Sequence, residues 1–269
     1  MSLPPDVTTK DSADVLYSES GAIGHIVLNR PRARNALTFA MYDRIAEICA
    51  TIPSNGTLRA MIISGAGGKA FAAGTDISQF RDFKGAADGL TYEANMSQRL
   101  AKIESCPIPT IAAISGACTG GGAAIAACCD LRIASADVRF GFPIARTLGN
   151  CLSAANLAKL ASIIGPAKTT EMILTSRLLD AAECKSAGLV SEICPDHEAV
   201  VARAYQLAAD VAGMAPITLR VTKELMRRIG NDGAKAHDHD QIALAYGSAD
   251  FREGLESFLA KRLPNWRGE

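Results

Sequence analysis

PTIAAISGACTGGGAAIAACCDLRIA, residues 109–134, is the stretch on which the fold turns. Residues 110–114 are apolar and strand-like, a glycine-rich loop follows, the small residues 121–129 suit a short helix, and 131–134 return to a strand pattern. Where a strand feeds a helix through Gly120, Gly121 and Gly122, a ligand can come close to the backbone because no Cβ stands in the way. The first N–H groups of that helix have no intrahelical acceptor and point outward as donors. Such a corner suits a developing oxyanion, although a lone triple glycine is also what a tight packing turn looks like.

A second stretch of the same design weighs against the packing turn. Residues 60–80, AMIISGAGGKAFAAGTDISQF, again read as a strand (60–64), a glycine-rich loop, small residues, and a helix start near Thr75 and Asp76. If the two junctions face each other, one N–H from each converges on a single carbonyl oxygen, which stabilises a thioester enolate without a charged side chain. Thr75 N–H and Gly121 N–H are the expected pair.

AFAAGTDI, then IAAISGACTGGGAAIAACCDLRIAS and ADVRFGFP, resemble the enoyl-CoA hydratase/isomerase, or crotonase, superfamily. IVLNRPRARNAL near the start, LLDAAECKSAGLVSEI in the second half and SADFREGLESFLAKRLPNW at the end extend the resemblance over nearly the whole chain in the right order. It implies an α/β fold, a crotonase-like spiral of repeated ββα units with a helical C-terminal trimerisation region. It also implies an acyl-CoA substrate, with coenzyme A as part of that substrate and no permanently bound cofactor. The oxyanion-hole donors implied are the residue between Gly and Asp of AGxD and the middle glycine of GGG, which are Thr75 and Gly121.

By the same resemblance, the hydratases of this superfamily use two glutamates, one two residues after GGG and one just after the proline of FGxP. Adding water across a conjugated double bond needs an acid and a base on one face. Here those positions are Ala124 and Ile144, which move no proton, so the expectation is an atypical lyase or isomerase whose acid and base are not evident. Arg146 and Asn150, in PIARTLGNCLSAAN (143–156), are the polar candidates left near the acyl pocket, with Ser153 and Leu152 where some relatives carry an aspartate. A buried Arg146 without a nearby acid would hold a carboxylate on the acyl chain, as in decarboxylation of a malonyl-type thioester, or would serve a purely structural pairing. A catalytically silent acyl-CoA binder is the remaining alternative. Cys151, with no histidine near it, reads as a small core residue, and His25, His197, His237 and His239 are assigned no catalytic part.

For coenzyme A itself, the loop PRARNAL offers Arg32, Ala33 and Arg34, where loop arginines attract phosphates or simply face water. By resemblance, Ala73, Asp76 and Ile77 line the adenine and pantetheine path, Asp76 also serving as a helix cap, and Lys261 near the C-terminus is a phosphate contact or an exposed lysine.

The bulk of the chain bounds these readings. With 269 residues it can bury a substantial core, and 28 basic against 28 acidic residues leave no basic surplus for nucleic acid or anionic lipid. No apolar run of membrane-spanning length and no signal-peptide pattern is seen, so no membrane partner is expected. Eight cysteines without metal-ligand spacing predict no metal site and fit a reduced cytoplasm. Residues 1–13 read as a flexible arm, 14–195 as the spiral core with the thioester site, and 196–269 as a helical region. A hairpin is expected around Gly21 to Gly24, and a Thr38-capped helix with Met41, Ile45, Ile48 and Ile52 on its apolar face. Further helices are expected over 91–105, 196–212, 217–229, 236–246 and 251–261, and strands over 138–142 and 189–193. Apolar residues on the last helices, Leu244, Phe251, Leu255, Phe258 and Leu259, suit self-association as a homotrimer or a dimer of trimers.

Overall fold

The computed structural model describes residues 13–269, so the arm expected over 1–13 lies, but for Ala13, outside the described residues. Strands β1 (Val15–Ser20) and β2 (Ile23–Leu28) form the hairpin, and α1 (Phe39–Thr51) follows, its N-cap Thr38 accepting from Met41 N–H. All four residues foreseen on the apolar face of α1 are buried. Then comes a unit of long strand, short strand and helix. Its first copy is β3 (Ala60–Gly65), β4 (Ala70–Ala72) and α2 (Ala86–Glu104), and its second is β5 (Thr110–Ile114), β6 (Ala117–Thr119) and α3 (Gly121–Cys128). The third is β7 (Leu131–Ser135), β8 (Arg139–Gly141) and α4 (Ala154–Ile164). After α5 (Pro166–Thr175), α6 (Ala181–Ser186) and β9 (Glu192–Cys194), the chain is helical: α7 (His197–Ala212), α8 (Pro216–Asp232), α9 (His239–Gly247) and α10 (Ala249–Ala260).

The long strands build one sheet in the order β1-β2-β3-β5-β7-β9, parallel except for the β1–β2 hairpin, and the short strands stack as a parallel β4-β6-β8 sheet. The result is the expected spiral of ββα turns. Every residue of β3 and β5 is buried, as a parallel sheet covered on both faces requires. Met61 and Ile63 face the main core with Ile114 and α1, whereas Ala60 and Ile62 face the other side, where Val200, Ala204 and Ala208 of α7 cover them. Packing therefore runs across residue 196 without a break.

Some boundaries shift, each for a local reason. Helix α2 begins at Ala86, ahead of the expected 91, because the Asp88 carboxylate accepts from Lys84 N–H (2.7 Å) and Gly85 N–H (3.1 Å) and caps it early. The strand expected over 189–193 becomes Glu192–Cys194, since Leu189 N–H and Val190 N–H both still bond to Cys184 O at the exit of α6. The strand expected over 138–142 keeps only its centre, Arg139–Gly141.

Lys223 of α8 pins the helical region to the spiral. Its Nζ lies 2.5 Å from Asp130 Oδ2, and that carboxylate also accepts from Thr110 N–H (2.7 Å) and Thr110 Oγ1 (2.8 Å). A charge-assisted junction of this kind fixes the start of β5 against the exit of α3. Arg132 donates to the carbonyls of Ala126 and Cys129, placing a cation at the C-terminal end of α3, where the helix dipole favours it.

Candidate active site

The ends of β4 and β6 run into two backbone corners, residues 73–75 and 119–121, that touch. A Cβ on Gly120 would stand 3.5 Å from the Cα of Gly74, and one on Gly74 would stand 3.6 Å from the carbonyl oxygen of Thr119. Both glycines have positive φ, 109° at Gly74 and 51° at Gly120, which a side chain adopts only with strain. The corners are thus turned toward each other by residues with no side chain to obstruct them.

Among the described residues, the protein offers no acceptor to Thr75 N–H or to Gly121 N–H. The amides beside them are used: Gly120 N–H donates to Gly141 O (3.0 Å) and Asp76 N–H to Leu37 O (2.8 Å). Gly121 opens α3, so its amide is one that the helix itself leaves unpaired. Tyr42 of α1 locks the pair together. Its hydroxyl lies 2.9 Å from Thr75 Oγ1, and a Cβ on Gly121 would fall 1.7 Å from the same hydroxyl and 3.0 Å from Thr75 Oγ1. Tyr92 Oη approaches Thr75 Oγ1 from α2 at 3.4 Å. Burial raises the pKa of both phenols, so they stay neutral and hold the corner by hydrogen bonds alone.

Both corners open on a cavity of about 190 Å³. Phe80, Met96, Leu100, Phe142 and Leu152 make its wall largely apolar, and Ala124 and Ile144 lie in that wall, carrying no titratable group. Two fixed amides at an apolar wall stabilise negative charge on an oxygen better than water does, because they need no reorganisation when the charge appears.

The other expected site residues divide. Ala73, Ile77 and Asn150 line the cavity with Thr75 and Gly121. Arg32, Ala33 and Arg34 are exposed on a 3-10 turn and its exit, and Ala73 N–H donates to Arg34 O (3.0 Å), so this loop lies directly against the 73–75 corner. Neither Arg32 nor Arg34 has a carboxylate partner among the described residues, which leaves both free for an anion. Asp76 is a structural residue: it caps the 3-10 turn Ile77–Phe80 through Ser78 N–H and pairs with Arg30 (3.0 Å), and these bonds hold its carboxyl below the usual range. Lys261 sits exposed at the end of α10 in a left-handed conformation and does not line the cavity.

Two expectations are corrected. Arg146 is exposed and lies outside the cavity lining, because the 3-10 turn Pro143–Ala145 directs Ile144 inward and the residues after it toward solvent. It is not positioned to hold an acid group on a bound acyl chain. Cys151 is exposed instead of packed in the core, while the other seven cysteines are buried. Burial pushes Cys128 and Cys129 up to about 12, so neither is a thiolate near neutral pH.

The one carboxylate in the cavity lining escaped the sequence reading. Glu93, on α2, lines the cavity next to Tyr92, is half-buried, and has no basic partner among the described residues. Burial raises its pKa, and the backbone N–H of Ser153, the N-cap of α4, donates to it. The available signal was its register: Glu93 lies on the stripe that runs on through the buried Met96, Leu100 and Ile103 at helical spacing. A carboxylate on an apolar stripe calls for an explanation.

Known proteins share this architecture. A family profile described as enoyl-CoA hydratase/isomerase matches residues 18–269. A probable enoyl-CoA hydratase of Bacillus subtilis is 33% identical over 247 residues, covering 91% of this chain and 95% of its own. A short-chain-enoyl-CoA hydratase of Clostridium acetobutylicum is 27% identical over 252 residues, covering 93% and 95%. The crystal structure of an enoyl-CoA hydratase/carnithine racemase from Magnetospirillum magneticum superposes with a TM-score of 0.87 at 33% identity, covering 96% of this chain and 97% of that one.

Proposed function

The chain belongs to the enoyl-CoA hydratase/isomerase family, and from that premise we propose that it is an acyl-CoA enzyme that polarises the thioester carbonyl between Thr75 N–H and Gly121 N–H. The observation that carries the reading is the pair of amides left without acceptors at two touching corners that open on an apolar cavity. In this reading the carbonyl oxygen gains negative charge as a proton leaves the adjacent carbon, and the two N–H groups stabilise the enolate. The cavity volume suits a short acyl group. Arg32 and Arg34, exposed beside the corner and without a carboxylate partner among the described residues, attract the phosphates of coenzyme A, and Ala73 and Ile77 border the pantetheine arm.

The paired-glutamate chemistry of hydratases is absent from this reading, since Ala124 and Ile144 occupy the two positions at which the sequence pattern would place carboxylates. Decarboxylation of a carboxylated thioester loses its anchor with Arg146 in solvent. Self-association as a trimer or a pair of trimers completes the proposal, through the apolar C-terminal helices.

Titration calorimetry with butyryl-CoA, followed by mass spectrometry of a panel of CoA thioesters, tests it. Binding together with conversion of at least one thioester is expected. Binding with no conversion across the panel would make the protein a silent acyl-CoA binder, and crotonyl-CoA hydration at ordinary hydratase rates would overturn the reading of Ala124 and Ile144.

A further inference from the structure

We infer that Glu93 is the proton carrier of this cavity, taking a proton from the carbon next to the thioester carbonyl and returning one to the acyl chain. The inference rests on the acyl-CoA reading of the site and adds the group which that reading lacks.

Three titratable side chains line the cavity: Tyr42, Tyr92 and Glu93. Tyr42 and Tyr92 share the Thr75 hydroxyl and are held neutral by burial, so neither accepts a proton near neutral pH. The remaining polar groups, among them Thr147, Asn150 and Asn156, do not titrate. Glu93 is the one carboxylate in the cavity lining.

Its placement is also specific. A carboxylate on the packed stripe of α2 loses water and gains no cation among the described residues, which costs folding free energy, yet it accepts from the amide of Ser153, the N-cap of α4. Asp76, Glu104, Asp130 and Glu183 are each paired with a cation, whereas Glu93 has no basic partner among the described residues. Desolvation raises its affinity for a proton, which suits a base that must also release one.

In the step itself, a C–H bond next to the carbonyl breaks and its proton forms an O–H bond on Glu93. The electron pair of that bond moves into the thioester, leaving an enolate whose oxygen faces Thr75 and Gly121. Glu93 then gives a proton back to the same carbon, or to the far end of the conjugated system when the acyl group carries a β,γ double bond. Atoms and charge balance with no other reactant. With a single carboxylate and no second group to activate water, the fitting substrates are short unsaturated acyl-CoA esters whose double bond moves along the chain.

The test uses the full chain in D2O with butyryl-CoA, which has an acidic α-hydrogen and no double bond. Calorimetry reads binding, and mass spectrometry reads deuterium entering at the α-carbon. Wild type is expected to bind and exchange. Glu93→Gln, which keeps the shape and loses the base, is expected to bind within threefold and to exchange at least about 100-fold more slowly. The wild-type rate rises with pH as Glu93 ionises, and the variant rate does not. The titratable groups facing Glu93 are Tyr42 of α1 and Tyr92 of α2, both neutral throughout, with none from the 142–156 segment in the lining. Exchange in Glu93→Gln within threefold of wild type would overturn the assignment while leaving the acyl-CoA site standing. Binding without exchange in the wild type would also overturn it, and failure of the wild type to bind butyryl-CoA would overturn the reading of the site as well.

Discussion

At the scale of single residues, the site depends more on missing side chains than on present ones. Gly121 is the clearest case, because an added Cβ would land 1.7 Å from the Tyr42 hydroxyl, inside covalent contact, and something must move. Gly121→Ala is expected to displace either Tyr42 or the first turn of α3, moving the Gly121 amide off the position a carbonyl oxygen would occupy. Loss of one such donor costs about 10²–10³ in rate. The expected outcome is that fall in kcat with CoA thioester binding reduced far less, as steady-state kinetics and calorimetry would reveal; unchanged kcat would show that the amide is not used. The glycine corners could be read from sequence because glycine's backbone freedom is a local property. Such reading failed at Arg146, whose burial depended on which way one 3-10 turn points, and at Glu93, whose place in the cavity lining appears only once α2 is packed beside it.

Elements are held in register by a buried polar junction far from the cavity. His25 on β2 places Nδ1 2.9 Å from Tyr205 Oη of α7 and Nε2 2.8 Å from Ser64 Oγ of β3, joining three elements. Burial pushes its pKa down to about 4 from an ordinary value near 6.5. A depressed folded-state pKa means that the unfolded chain takes up the proton first. The junction therefore contributes its full stability above about pH 6.5 and loses it as pH falls toward 4. The loss across that window is on the order of 3 kcal/mol. The thermal midpoint of the wild type is expected to fall between pH 7 and 4.5 more steeply than that of His25→Gln, which does not titrate there; parallel slopes would show that His25 is protonated as readily in the fold as in the unfolded chain. Glu93 has the opposite sign. Its raised pKa penalises the ionised folded state, so Glu93→Gln is expected to melt higher than wild type at pH 8, with the gap closing toward pH 4.

On the whole-molecule scale, α9 and α10 leave an apolar surface without a cover. Tyr246, Phe251, Leu255, Phe258, Leu259 and Leu263 are all exposed, Phe258 to 82%. A larger groove of about 470 Å³ between these helices, α8 and Trp266 is lined by four of them, Tyr246, Phe251, Leu255 and Phe258. Its one carboxylate, Asp250, is spent on the backbone N–H groups of Arg267 and Gly268, so the groove holds no chemistry to rival the 73–75 and 119–121 corners. Exposed apolar area of this kind stabilises an assembly of copies, in line with the proposed trimer. Sedimentation of the wild type is expected to report a multiple of the 28.2 kDa chain, and the double variant Leu255→Asp, Phe258→Asp to report the single chain. A monomeric wild type would remove the proposal.

The amino-acid sequence by itself marked the strands over 60–64, 110–114 and 131–134 and the two glycine-rich corners that follow the first two of them, because strand propensity, helix capping and positive φ are set within a few residues. It also determined that Ala124 and Ile144 carry no proton. The tertiary structure alone decided which side chains share the cavity. Whether Glu93 faces it and Arg146 leaves it is settled by how α2, the 143–149 turn and the start of α4 pack together. Those contacts join residues far apart in the chain, and their energies do not appear in any short stretch of it.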